Sequence, residues 1–292
     1  MASNAQVTNG RVQIITDTTC TLPPDISESV RNHIQWVRTS VEFRNESWVE
    51  GTFRLDDFYT RLTNGRDMPH TSQPSPFEFL QVYEAAAHLG SVLVILLSSQ
   101  LSSTYSTGAA LAREFANERV TVFDSGFMST ALGYMVAEAA ELAVAGATRD
   151  EIIARLEWRK AKTALFFTLN TLEYLRRGGR VNLLQAGLAE WLDLKPILAV
   201  HEGKLVPVGR IRSRRRALET VIAKAEAHGR LLHTPLWVAA MHGRAPDEAV
   251  GLLTVLQQRL PVQRSFISEV PASIALHGGP GVVGVMVTPS VE

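Results

Sequence analysis

The chain has 292 residues, 46% hydrophobic and 20% charged, which is enough to bury a large core and to form two domains. Its 29 lysines and arginines balance 29 aspartates and glutamates, so no global field points to nucleic acid or to an acidic partner. The single cysteine, Cys20, excludes an intramolecular disulfide framework and suits a reducing cytosol.

The opening "MASNAQVTNG" (1–10) is polar and has no apolar stretch of the signal-peptide kind; it reads as a disordered or tag-derived lead. No apolar run approaches the roughly 20 residues of a membrane span, so a soluble cytoplasmic protein without stable membrane insertion is expected. Short runs rich in β-branched and aliphatic residues then recur: "VQIITDTT" (12–19), "VLVILLSS" (92–99), "VTVFDSG" (120–126), "ALFFTLNT" (164–171) and "LWVAAMHG" (236–243). Each reads as a strand buried on both faces. Helices are predicted between them. One opens at Ser75 with Pro76 at its first position and Glu78 three residues on, a capping box. Another opens at Thr148 with Glu151, just after Gly146 stops an alanine-rich helix. Strands alternating with helices predict an α/β domain with a mostly parallel sheet over 11–162. Beyond about residue 162 the layout changes. "KPILAVHEGKLVPVGRIR" (195–212) reads as a hairpin, and 265–289 as strand, loop, strand. Helical segments fall near 183–193, 213–229 and 245–259. This predicts a second α/β domain, 163–292, with a mixed or antiparallel sheet and helices.

Several stretches carry candidate chemistry. After "LVILL" the chain from Ser98 to Thr107 is almost entirely hydroxyl or amide. Ser98 and Ser99 fall where ligands gather in a parallel sheet, beyond the carboxyl end of a strand. Helix capping accounts for one or two of these hydroxyls, a ligand site for the whole cluster. "HTSQPSP" (70–76) offers Thr71, Ser72 and Gln73 as a donor-rich rim or as plain turn residues. "ALHGGPGVVGVMV" (275–287) contains a formal GxGxxG, but a strand follows it, not a helix, so a dinucleotide site is rejected. His277 and Gly278 there suggest a backbone that approaches something closely. "RIRSRRRALE" (210–219) puts five arginines in seven positions: a solvated helix start, or a docking face for an acidic partner or phosphates. Nucleic acid is disfavoured by the neutral net charge. "LEYLRRGGRV" (172–181) reads as a short helix closed by a double glycine, with Arg176, Arg177 and Arg180 beside it. No metal, P-loop or nucleophile-elbow motif is found, and Cys20 reads as a small inert residue. Neither a catalytic residue nor a cofactor is called for.

Taken in order, "IITDTTCTLP", "TSQPSP", "LSSQLSSTYST", "VFDSGFMSTALG", "LEYLRRGGRV", "LKPIL", "GRIRSRRRAL" and "HGGPGVVG" resemble the DegV family of bacterial fatty-acid-binding proteins. The resemblance covers nearly the whole chain. It implies a two-domain α/β protein holding a long-chain fatty acid in a tunnel between the domains. It further implies an acyl carrier for a separate ATP-dependent fatty acid kinase, whose acyl-phosphate product feeds phospholipid synthesis. By motif, Thr71, Ser72, Ser98 or Ser99, His277 and Gly278 would surround the carboxylate, and Arg212, Arg214 and Arg215 would face the kinase. Two departures stand out: "TDTT" for the family's "TDST", and Ser103 where the family has glycine. The alternative reading is a serine-dependent acyl hydrolase or transferase using Ser99 or Ser98 with His277 as base.

Overall fold

Interior strands of a parallel sheet have no solvent face, so they read as unbroken apolar runs. That pattern belongs to β1 (Gln13–Asp17) and β6 (Val92–Leu96), which pair at the centre of a four-stranded parallel sheet. Its edges are β2 (Ile34–Val37) and β7 (Val120–Asp124). The computed structural model describes residues 11–65, 68–115, 118–180 and 194–290. The lead 1–10 and the helix expected near 183–193 lie outside the described residues.

Alternate residues of β6 serve opposite faces. Val92, Val94 and Leu96 pack with Phe79 and Tyr83 of α3 (Pro76–Ala87) and Ala112 of α4 (Thr104–Ala112). Leu93 and Ile95 face the other way, into an apolar cluster shared with α5 (Ser129–Val144). Of the two predicted capping boxes, the one at α3 forms only in half: Ser75 accepts from the Glu78 amide, while the Glu78 carboxylate accepts from the Arg38 amide at 2.8 Å instead of turning back to Ser75. Thr148 and Glu151 close a full capping box on α6 (Arg149–Lys162).

A second, six-stranded sheet is built from β8 (Ala164–Thr168), β9 (Lys195–His201), β10 (Lys204–Ile211), β11 (Leu236–His242), β12 (Val262–Glu269) and β13 (Val283–Pro289). The strand order is β10-β9-β8-β13-β11-β12, and among these pairs only β11–β12 is parallel. Val238, Ala240 and Val285 pack with Val221 of α8 (Arg214–Leu232) and Leu252 of α9 (Pro246–Arg259). On the opposite face Leu165, Phe167, Ala239 and Met241 join the cluster of α5.

Helix α5 thus lies between the two sheets, touching β1 and β6 on one side and β11 on the other. A helix enclosed this way must be apolar or small all round, and every residue from Ser129 to Ala140 is buried. Gly133 shows how tight the fit is: a Cβ there would lie 1.8 Å from the Thr21 carbonyl oxygen. One carboxylate breaks the apolar run. Glu138 accepts from Arg159 Nε at 2.6 Å and Nη2 at 2.8 Å, and from Arg155 Nε at 2.6 Å. Arg159, with no exposed surface, also donates to Thr288 Oγ1 at 3.0 Å and to the Pro289 carbonyl. One guanidinium therefore ties α5 and α6 to the end of β13.

Two regions depart from the sequence reading. β3 (Ser40–Phe43), β4 (Glu46–Val49) and β5 (His70–Ser72) form a small antiparallel sheet in the order β4-β3-β5. Part of "HTSQPSP" is thus a strand, paired through Val41 opposite Thr71. The expected loop inside 265–289 contains α10 (Ala272–Gly278), so His277 stands in the last turn of a helix and not on a glycine loop. Short helices α1 (Glu28–Asn32), α2 (Leu55–Asn64) and α7 (Glu173–Arg177) complete the described elements named here. Among the described residues no helix is long and apolar enough to cross a membrane.

Breaking a buried ion pair on one side strands the other charge, at a cost of about 3–5 kcal/mol. Glu138→Gln is therefore expected to lower the unfolding free energy by about 3 kcal/mol. Urea denaturation should show a lower midpoint with an unchanged slope.

Candidate ligand-binding cavity

A cavity of about 450 Å³ opens where the two sheets and the small antiparallel sheet meet. Leu97 and Thr19 reach it from the carboxyl ends of β6 and β1, Leu169 from beyond β8 and Met241 from β11. This is the position α/β architecture favours, because strand ends leave a crevice between diverging loops. Much of the wall is apolar: Leu97, Leu101, Met128, Phe167, Leu205 and Met241 all line it. Most of the polar residues come from three places: Thr71 and Ser72 on β5 with Gln73 and Ser75 beyond it, Ser102 to Thr104 at the start of α4, and Ser273 and His277 on α10; Thr19, Thr39 and Arg180 add to them.

Four of the anticipated residues, Thr71, Ser72, His277 and Gly278, meet at this wall. His277 Nε2 lies 3.3 Å from Thr71 Oγ1, joining residues 206 apart in the chain. The ring's Nδ1 is buried without a partner. Gly178 makes the ring's position possible, since a Cβ there would lie 2.3 Å from Nδ1. Burial above all, and then the charge of Arg180, push the imidazole pKa down to about 3, so the ring is neutral at ordinary pH.

Ser98 and Ser99 are not on the wall, and here the sequence expectation is corrected. Ser98 Oγ donates to the Gly203 carbonyl at 2.7 Å, fastening the β9–β10 hairpin. Ser99 Oγ donates to Asp124 at 2.5 Å, and its amide donates to the same carboxylate at 3.2 Å. Neither hydroxyl meets His277. The hydroxyls that do reach the cavity come three to six residues later, at Ser102, Ser103 and Thr104. Ser103 sits at φ −74°, so the freedom of glycine is not needed there, and its hydroxyl donates to Gln73 Oε1 at 2.8 Å.

Arg180 carries the one permanent charge among the described lining residues, and no role was read for it in the sequence. Its only sequence signal is its place directly after the double glycine of "LRRGGR". The side chain is half-buried, and burial pushes its pKa below the usual guanidinium value, the mark of a cation short of water. Its Nη1 donates to the Gly178 carbonyl at 2.9 Å. Of the three arginines expected to dock a partner, Arg214 is already engaged. It grips Glu248 through Nε at 3.0 Å and through Nη2, and donates to the Gly281 carbonyl at 2.7 Å. Arg212 and Arg215 are exposed.

Comparisons with known proteins bear on the family and the fold. The family model of the DegV proteins matches residues 11–290. The chain belongs to the DegV family. A DegV domain-containing protein of Streptomyces coelicolor is 36% identical over 282 residues, covering 95% of this chain and 98% of the relative. Among solved structures, a fatty-acid-binding DegV family protein from Thermus thermophilus superposes with a TM-score of 0.87 at 31% identity. The alignment covers 96% of this chain and 100% of that one. DegV of Bacillus subtilis, described as a fatty acid binding protein, superposes with a TM-score of 0.86 at 28% identity, with 96% and 100% coverage.

In this DegV chain the neutral, buried His277 carries a pH consequence. Its folded pKa lies below the unfolded value, so between the two the unfolded chain binds the extra proton and stability falls as pH drops. The slope from one such group approaches about 1.4 kcal/mol per pH unit. Relative to His277→Gln, the wild type should lose stability steadily as pH falls from 6.5 toward 3. Urea titrations of both proteins across that range give the difference directly.

Proposed function

We propose that the protein binds one long-chain fatty acid, non-covalently, with the tail in the apolar part of the cavity and the carboxylate among Thr71, His277 and Arg180. The observation that carries this reading is a permanent cation, Arg180, beside a neutral histidine–threonine pair, with no other charged side chain among the described lining residues. An unpaired carboxylate is costly to bury, so donors must meet it. Arg180 supplies a charge-assisted bond, stronger than a neutral one. Thr71 gives its hydroxyl proton to the carboxylate and in turn accepts from His277 Nε2–H, which leaves Nδ1 bare. Each buried methylene contributes about 0.8 kcal/mol, so the tail supplies most of the affinity. Residues 11–162 and 163–292 act as the two domains that enclose the ligand.

The carrier then presents the carboxylate to a separate ATP-dependent fatty acid kinase in the cytoplasm, and the acyl-phosphate enters phospholipid synthesis. Support for this step is the family resemblance together with Arg212 and Arg215, exposed at the start of α8 where positive charge opposes the helix dipole. The protein itself needs neither nucleophile nor cofactor for this role. A serine hydrolase or transferase would need Ser98 or Ser99 against His277, and both hydroxyls are bonded elsewhere.

Native mass spectrometry of protein purified from bacteria, followed by solvent extraction, is expected to find one long-chain acid per chain with no covalent adduct. A lipid-free protein that takes up no added acid would overturn the reading, and an acyl-serine adduct would favour the hydrolase. Thr71→Ala should weaken binding only about tenfold, one hydrogen bond's worth, because the tail contributes most.

The docking step is tested separately with Arg212→Glu combined with Arg215→Glu. Kinase turnover in a coupled assay should fall more than about tenfold, the loss being steepest at low salt, while the melting temperature and bound lipid stay unchanged. Equal turnover by the double variant would place the docking face elsewhere.

A further inference from the structure

The wall of the cavity is only as well placed as α10, and α10 cannot start by itself. Its N-cap position is Pro271, which has no side-chain acceptor. Ala272 and Ser273, the first two helical residues, are buried, so their free amides have no water to turn to. Both are met by one carboxylate from the far side of the sequence. Glu50 accepts from the Ala272 amide at 3.0 Å through Oε1 and from the Ser273 amide at 2.8 Å through Oε2, across separations of 222 and 223 residues.

Glu50 is itself fixed to the other half of the polar wall. It follows β4 directly, and its amide donates to the Thr39 carbonyl at 2.9 Å. Thr39 leads into β3, and β3 holds β5 with Val41 opposite Thr71. A closed ring of contacts results: Thr71, β5, β3, Thr39, Glu50, α10, His277, and back to Thr71. Two links close that ring between the antiparallel sheet and α10, the two-bond Glu50 cap and the 3.3 Å Thr71–His277 contact. The Glu50 cap is the stronger of them, being doubly bonded and set at the positive end of a helix.

We propose that Glu50 is the positioning residue of the headgroup site: it caps α10 from across the fold and so holds His277 against Thr71. Glu50 is 7% exposed. Burial pushes its pKa up and the two α10 amides pull it back, so the helix and the carboxylate sustain each other. Glu50 acts electrostatically on Tyr59, which Glu269 and Arg244 also influence, and Arg180 acts on His277. The consequence for the ligand rests on the fatty acid reading given above, but the geometry of the cap does not.

The test compares wild type, Glu50→Gln, Glu50→Ala and the control Glu138→Gln, which breaks a buried ion pair remote from the headgroup wall. Two readouts are needed: NMR titration of the His277 ring, and affinity of the delipidated protein for a long-chain fatty acid. In wild type the ring is expected to stay silent between about pH 8 and pH 5, the range in which exposed histidines titrate. Glu50→Gln keeps the volume and one acceptor; its ring should become wet and titrate toward the ordinary 6.5. Fatty acid affinity should fall about tenfold in Glu50→Gln and about a hundredfold in Glu50→Ala, one and two bonds respectively. The control should melt earlier with a silent ring and unchanged affinity. If Glu50→Ala does not fold, hydrogen exchange at the Ala272 and Ser273 amides of Glu50→Gln must be faster than in wild type. A folded Glu50→Gln protein with a silent ring and protected amides overturns the proposal. A wild type that binds no fatty acid sinks the ligand reading instead, while the ring titration still decides the role of Glu50.

Discussion

Two sheets pack on one helix, and most of the architecture answers to that constraint. Helix α5 has no solvent face over its first twelve residues, so it is made of alanine, glycine and well-packed apolar side chains. The single carboxylate that interrupts this run, Glu138, is met by two guanidiniums from α6. Arg159 then reaches on to the last strand of the second sheet. A buried charge of this kind has little tolerance for misplacement, since an unmatched ion in the interior is far more costly than the pair is favourable. The pair therefore specifies how the two sheets meet more than it adds net stability.

The cavity follows from the same geometry. Met128, the residue before α5, lines the cavity at the N-terminal end of that helix. Strand ends open into this space from both sheets, bringing apolar side chains, and the loops after them bring hydroxyls. Which hydroxyls face the cavity is decided by prior claims. Asp17 takes the Thr19 amide and hydroxyl and the Leu97 amide, and Asp124 takes the Ser99 amide and hydroxyl. These carboxylates shape the wall from behind and consume the first polar groups after the strands. The residues further along, from Ser102 to Thr104, remain for the cavity.

Charge on the wall is kept to a minimum. His277 is buried enough to stay neutral, and Arg180 is the permanent cation among the described lining residues. A neutral ring beside a single guanidinium suits a ligand with one negative charge, whereas two cations would repel each other when the site is empty. The glycines at 178 and 279 let α7 and α10 approach closely enough for this pairing.

The chain by itself determined whatever depends on near neighbours. Five apolar runs became strands, four of them because burial on both faces requires such runs; the fifth, β7, is an edge strand with Thr121 and Val122 only partly buried. Ser75 and Thr148 became helix caps because a cap needs only an oxygen and an amide three residues on. Thr71, Ser72, His277 and Gly278 were legible as wall residues through the order of the motifs. Tertiary structure alone decided the rest. Strands β3 to β5 are short and pair with one another, leaving little periodicity to read. Helix α10 was invisible because its capping oxygens come from Glu50, more than two hundred residues away. Ser98 and Ser99 carry the right chemistry, but Gly203 and Asp124 claim their hydroxyls first. Arg214 reads as free charge until Glu248 and Gly281 are brought beside it. In each case the residue type was plain in the sequence, and its role was set by a partner that only folding brings within 3 Å or so, because a hydrogen bond fixes position far more sharply than composition does.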